Sequence, residues 1–155
     1  MQSMLRKYNN YFTIAISFFL MSASLQAVSL ELDNFNFENQ TVDVLYDFEG
    51  DVAGFQFDVT GLTLSGASGG DAESAGFNVQ AGTSTVLGFS FSGDIISAGS
   101  GTLTTLSFSS IDEDSACIVM GSGAITALGG IDYETLDEYG CISTEAPQSE
   151  SFDVM

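Results

Sequence analysis

Residues 52–59 (VAGFQFDV) place apolar and polar side chains alternately along the chain. One side of this segment is apolar throughout and consists of Ala53, Phe55, Phe57 and Val59. The other side is mixed and consists of Val52, Gly54, Gln56 and Asp58. A period of two with aromatic and β-branched residues is typical of a β-strand with one buried face. We therefore predict a central core strand here, with Gln56 and Asp58 displayed on an open sheet face.

Other short segments repeat this alternation and are separated by turns. The clearest are residues 28–33 (VSLELD), 41–47 (TVDVLYD), 85–92 (TVLGFSFS) and 102–109 (TLTTLSFS). We expect the larger apolar residues of the last two segments to be buried, namely Leu87, Phe89, Phe91, Leu106 and Phe108. Residues 116–128 are expected to hold the last strands, and residues 132–139 to form an acidic loop.

The chain shows no long apolar period of 3.6 residues, and 17 glycines punctuate its short strands. One helical turn is predicted at residues 71–75, with Asp71 as the N-cap. Many short strands at regular spacing favour an all-β fold. We predict an antiparallel jelly-roll β-sandwich of about eight or nine strands, preceded by a signal peptide.

Residues 1–27 have the three parts of a secretory signal peptide. Arg6 and Lys7 precede the apolar run 11–21 (YFTIAISFFLM), and small residues follow up to Ala27. The run is short of the roughly 20 residues that a membrane-spanning helix needs, although a retained N-terminal anchor is the alternative. Cleavage after Ala27 would leave a secreted, extracellular or cell-surface chain with no membrane insertion.

The charge of the mature chain limits its partners. Arg6 and Lys7 are the only basic residues and lie in the predicted signal peptide, while all 21 acidic residues follow it. The mature chain would carry 0 − 21 = −21, with no Lys, Arg or His. Nucleic acid is thereby excluded, because phosphate binding depends on Lys and Arg. Self-repulsion would be relieved by salt or divalent cations, so we expect a saline or calcium-containing environment.

Cys117 and Cys141 are the only cysteines, and an even number in a secreted chain predicts one disulfide. The alternative, a metal site, lacks His or further Cys ligands. Three acidic stretches, at residues 47–51, 112–114 and 132–134, hold closely spaced carboxylates without the ordered spacing of an EF-hand. We predict solvated acidic turns, no metal site and no cofactor, with surface calcium left as an alternative.

Catalysis is not expected. Nucleophilic triads need a base, and the mature chain has neither His nor Lys. Carboxylate pairs could hydrolyse glycosides, but among 21 acidic residues such pairs arise by chance. For polysaccharide binding, exposed planar aromatics are the usual contacts, and Tyr133 and Tyr139 in the acidic loop are the candidates. The alternative is that both pack at an edge under the disulfide loop.

Four motifs together resemble a cohesin domain. They are VAGFQFDV at 52–59, GFNV at 76–79, LGFSFS at 87–92 and GTLTTLSF at 101–108. The resemblance covers residues 28–128 and implies a jelly-roll sandwich that captures dockerin domains of partner proteins. It also implies that the outward side of the 52–59 strand, with Val52, Gly54, Gln56 and Asp58, is the partner-binding face. Only Gln56 and Asp58 carry hydrogen-bonding side chains there.

The predicted organisation is a signal peptide (1–27), a cohesin-like module (28–143) and an acidic polar linker (144–155). Because FDVM at 152–155 is similar to VDVL at 42–45, the last segment could instead begin a further module. The predicted function is extracellular, non-catalytic recognition of a dockerin-type protein. The alternatives are a polysaccharide-binding module and a structural repeat of a surface protein.

Overall fold

The computed structural model describes residues 27–146. Residues 1–26 of the predicted signal peptide and residues 147–155 of the predicted linker lie outside this range. The described elements are β1 (Val28–Asn36), β2 (Thr41–Phe48), β3 (Gly54–Thr60), β4 (Leu62–Ser68), α1 (Gly70–Ser74), β5 (Asn78–Ala81), β6 (Thr85–Phe89), β7 (Gly99–Ile111), β8 (Ser115–Thr126) and β9 (Glu138–Ser143). Between residues 27 and 146, no helix has the length and apolar character that crossing a bilayer requires.

The nine strands form one mixed sheet that is nearly closed. Their hydrogen-bonded order is β4-β7-β2-β1-β9-β8-β3-β6-β5. Neighbouring strands are antiparallel except β1 and β9, which run parallel where Glu31 lies beside Gly140. The two edges of the sheet meet where the N–H of Leu64 donates to the carbonyl of Thr83 at 2.8 Å. The all-β prediction is confirmed, while the jelly-roll arrangement stays a prediction.

The core lies inside this curled sheet, and β3 is one of the strands that line it. The inward residues predicted on β1 and β2 are buried: Val28, Leu30, Leu32, Val42, Val44 and Tyr46. On β3, Phe55, Phe57 and Val59 are buried as predicted. The ring of Phe55 stacks on Phe57 and on Phe77, with 6.0 Å between centroids in each case. Strand alternation was a correct guide here because only one face of each strand is buried.

The predicted inward side of β6 is wrong. Val86 and Gly88 face the core, whereas Leu87 is 37% exposed and Phe91 is 87% exposed. The reason lies on the neighbouring strand, because the Phe55 ring fills the space beside Gly88. A Cβ atom at Gly88 would lie 2.1 Å from Cζ of Phe55. A large ring from β3 thus requires a glycine on the inward side of β6, and the bulky residues of β6 face outward.

The position predicted for Val52 is also wrong. Val52 is fully buried, and it exchanges two backbone hydrogen bonds of 2.8 Å with Ile96. The chain bends at Ala53, and β3 begins only at Gly54. This bend interrupts the period of two, so Val52 does not share a face with Gln56 and Asp58.

Helix α1 begins at a different residue from the one predicted. Gly69 is its N-cap and makes no side-chain capping bond. Asp71 instead accepts a hydrogen bond of 2.8 Å from the hydroxyl of Tyr46 on β2. The carboxylate therefore links α1 to the sheet rather than capping the start of the helix.

The Tyr46–Asp71 contact predicts a loss of stability at alkaline pH. Burial, the hydrogen bond to Asp71 and the charge of Asp71 raise the pKa of Tyr46 from 10.0 to about 12. Tyr46 therefore stabilises the fold below pH 10, and this contribution is lost as the pH rises towards about 12. In urea titrations across that range, Tyr46→Phe should lose stability less steeply than the wild type. Equal slopes would contradict the assignment.

Candidate binding face

The outward side of β5, β6, β3 and β8 forms one continuous surface, which we name the charge-poor face. Register places its residues in rows across the four strands. One row consists of Gln80, Leu87, Gln56 and Ala124, and the next consists of Asn78, Phe89, Gly54 and Thr126. Paired residues on adjacent strands point to the same side. The face therefore combines amide groups with apolar side chains.

A shallow hollow of about 270 Å³ lies in this face, lined by Gly54, Gln56, Leu87, Phe89, Ala124 and other neighbours. The hollow exists because Gly54 and Ala124 offer little or no side chain beside Phe89 and Leu87. Strand β8 also approaches β3 closely, since a Cβ atom at Gly123 would lie 2.1 Å from the carbonyl oxygen of Gln56. Small residues on β3 and β8 thus form the floor, and β6 supplies an apolar wall.

The charge of this face differs from that of the outward side of β1 and β2. Asp58 is the one acidic residue at the outward positions of these four described strands, and it accepts the Thr85 hydroxyl at 2.5 Å. By contrast, β1 and β2 present four carboxylates on their outward side, from Glu31, Asp33, Asp43 and Asp47. In a chain with 21 acidic residues, this is a marked local depletion of charge.

A fixed turn projects Phe91 at the rim of the charge-poor face. The Oγ atom of Ser90 accepts the N–H groups of Ser92 and Asp94 at 3.1 Å and donates to Asp94 at 2.7 Å. The Phe91 ring packs edge-on against Phe89, with 4.8 Å between centroids. The Phe91 ring is thus 87% exposed on a hydrogen-bonded turn, beside the apolar side chains of the face.

Sequence reasoning found part of this face. Gly54, Gln56 and Asp58 lie together on β3 as predicted, without Val52. Leu87, Phe89 and Phe91 were assigned to the core and so were missed as surface residues. One signal could have found them: Gly88 alternates with these residues and lies opposite Phe55, whose large ring needs space.

The aromatic candidates for sugar binding are not displayed. Tyr139 is 5% exposed, donates to the carbonyl of Val28 at 3.2 Å and accepts from the N–H of Leu136 at 3.3 Å. Its prediction as a sugar contact is therefore wrong. Tyr133 is half-buried, and its hydroxyl donates to the carbonyl of Asp51 at 2.8 Å. Sugar contact at Tyr133 stays a prediction that this geometry does not favour.

A larger hollow, of about 470 Å³, lies on the outward side of β1, β2 and β7. Its lining includes Glu31 and Asp47 together with Ser29, Ser100 and Thr102. Two carboxylates at an open surface disfavour an apolar or acidic partner. This hollow therefore fits an apolar contact less well than the charge-poor face does.

The cysteines and two of the three acidic stretches have partners within the protein. Cys117 and Cys141 form the predicted disulfide, with 2.00 Å between the sulfur atoms. Glu138 lies beside this pair, but bonded sulfurs are not available as thiolate ligands. Asp51 accepts the N–H of Ala98 at 3.0 Å, and Asp112 accepts the hydroxyl of Thr63 at 2.8 Å. Surface calcium stays a prediction.

The motifs that resemble a cohesin domain lie mainly on β3, β6 and β7, around and opposite the charge-poor face. The resemblance stays a prediction, because comparison of the chain with protein-family models, with curated proteins and with solved structures finds no match.

Proposed function

We propose that this chain is an extracellular, non-catalytic binding module whose charge-poor face captures a dockerin-type protein domain. The observation that carries the proposal is the local depletion of charge, with one carboxylate on this face and four on the outward side of β1 and β2. The centres of protein interfaces are depleted of charged residues and enriched in aromatic ones. The resemblance to cohesins supports the same face, since it makes the outward side of β3 the partner-contacting surface.

The apolar and the amide groups on this face have different roles in recognition. Leu87 and Phe89 offer apolar area next to the hollow, and such anchors supply most of the affinity of an interface. Gln56 and Gln80 lie in one row and offer amide groups that fix the register of a partner. The mature chain has no cation of its own, so a partner with Lys or Arg at its rim would be attracted by the surrounding acidic surface.

The non-catalytic part of the proposal is supported by the absence of His, Lys and Arg from residues 28–155. Polysaccharide binding is the weaker alternative, because Tyr139 is buried and the hydroxyl of Tyr133 is engaged. The further alternative, a structural repeat of a surface protein, depends on residues 152–155, which lie outside the described range.

Calorimetric titration of purified dockerin domains into the secreted chain tests the proposal. Leu87→Asp should weaken binding by roughly a hundredfold, because it places an unpaired charge in the contact. Leu45→Asp is the matched control, since Leu45 is half-buried on the outward side of β2 and lies opposite Glu31. It adds the same charge to a different part of the outer surface, on β2, and should leave affinity within about twofold.

Thermal melts of both variants should show that each is folded before binding is compared. Equal losses of affinity in Leu87→Asp and Leu45→Asp would remove the charge-poor face as the site. If none of the dockerin domains binds the wild type, dockerin capture is wrong.

A further inference from the structure

The charge-poor face carries a projection and a hollow side by side. Phe91 projects at the rim on its fixed turn, and the hollow of about 270 Å³ begins at its neighbour Phe89. A twofold axis through such a face would bring the projection of each copy to the hollow of the other. Closed dimers use self-complementary surfaces of this kind, in which each contact occurs twice.

Charge opposes a second copy on the outward side of β1 and β2 and opposes it far less on the charge-poor face. Each mature chain carries 21 carboxylates and no basic side chain, so two copies repel each other strongly at low ionic strength. The outward side of β1 and β2 would oppose four carboxylates with four. On its four strands the charge-poor face would oppose only Asp58 with Asp58, and each already accepts the hydroxyl of its own Thr85. Asp94, on the turn that carries Phe91, likewise accepts the hydroxyl of its own Ser90.

We infer that two copies of this chain pair through the charge-poor face, with Phe91 of each in the hollow of the other, and that ionic strength controls the pairing. Exposed charges interact over about 30 Å at 0.01 M salt and over about 3 Å at 1 M. Salt therefore removes the long-range repulsion and leaves the apolar contact, which salt does not weaken.

Pairing would affect partner capture, although it does not depend on that function. Leu87 and Phe89 would be covered in the dimer, so pairing and capture of another protein on this face exclude each other. High salt would then keep the module in the dimer, with the charge-poor face buried. Dilution or lower salt would release the face.

Sedimentation velocity of the secreted chain at about 0.01 M and about 1 M NaCl tests the inference over a range of protein concentrations. The wild type should sediment as a monomer at low salt and reach a dimer, with no larger species, at high salt. Phe91→Ser removes the projecting ring without adding charge and should raise the dimer dissociation constant at least about tenfold. Leu45→Asp, the matched control on β2, should leave the dimer dissociation constant within about twofold.

Three results would overturn the inference. These are a monomeric wild type at high salt, assemblies that grow beyond the dimer, and a Phe91→Ser variant that pairs as well as the wild type. None of these results bears on dockerin binding by the monomer at low salt. Loss of dockerin binding in turn leaves the sedimentation result unchanged, so the two proposals fail separately.

Discussion

Replacing Phe57 with alanine should lower the free energy of unfolding by about 3–5 kcal/mol. Phe57 is fully buried at the centre of β3, with β6 and β8 on either side. Its ring stacks on Phe55, which in turn stacks on Phe77. Removing the ring leaves a cavity that the flanking strands cannot close without breaking their pairing. Because domains of this size are stable by about 5–15 kcal/mol, much of the variant should be unfolded on mild heating.

The exposed Phe91 provides the control, since Phe91→Ala deletes the same atoms from a ring that is 87% exposed. Its free energy of unfolding should stay within about 0.5 kcal/mol of the wild type. Guanidinium titrations followed by circular dichroism measure both variants, and a monomeric sample at low salt keeps association out of the comparison. Similar losses in Phe57→Ala and Phe91→Ala would show that β3 is not the centre of the core.

The sequence predicts a strand correctly where apolar and polar side chains alternate along it and only one of its faces is buried. β1, β2 and the centre of β3 meet this condition, and Val42, Val44 and Phe57 are buried as their period requires. β6 fails because its inward side is chosen by a contact with another strand. The space beside Gly88 is filled by Phe55, and the sequence of β6 shows this long-range contact only as a glycine that alternates with large apolar residues.

Strand β9 is not among the predicted strands, and the predicted acidic loop, residues 132–139, overlaps its first two residues. Its sequence, EYGCIS, has no clean alternation, and Tyr139 is its one buried residue. The strand is held by pairing with β8, by the disulfide and by the Tyr139 hydrogen bond to Val28. These constraints come from residues far away in the chain, so a local pattern cannot report them.

The candidate site was predicted in the same partial way. Gln56 and Asp58 were placed correctly because they alternate with the buried Phe55 and Phe57 on one strand. Leu87 and Phe91 were assigned to the core because large apolar residues are usually buried. An exposed apolar face violates that rule, so the residues that make this face apolar are the ones that their composition assigns to the core.

Removing the disulfide should destabilise the protein by roughly 3 kcal/mol, the chain-entropy value for a link between residues separated by 24 positions. Cys117 and Cys141 lie directly opposite each other on β8 and β9. β9 is the strand through which the hydrogen-bonded order passes from β1 to β8, and its parallel contact with β1 is a single residue pair. In Cys117→Ser/Cys141→Ser, β9 should therefore loosen before the rest of the sheet, and the junction between β1 and β8 should open.

Two measurements on this double variant separate a local effect from a global one. Guanidinium unfolding gives the overall loss, and native-state hydrogen exchange should show faster exchange at the β9 amides than at the β3 amides. Reductant should lower the stability of the wild type to that of the double variant and leave the variant unchanged. If oxidised wild type and variant unfold at the same guanidinium concentration, the disulfide does not stabilise this fold. If amide exchange accelerates equally in β3 and β9, β9 does not open separately from the rest of the sheet. Its release would then require the whole core to open.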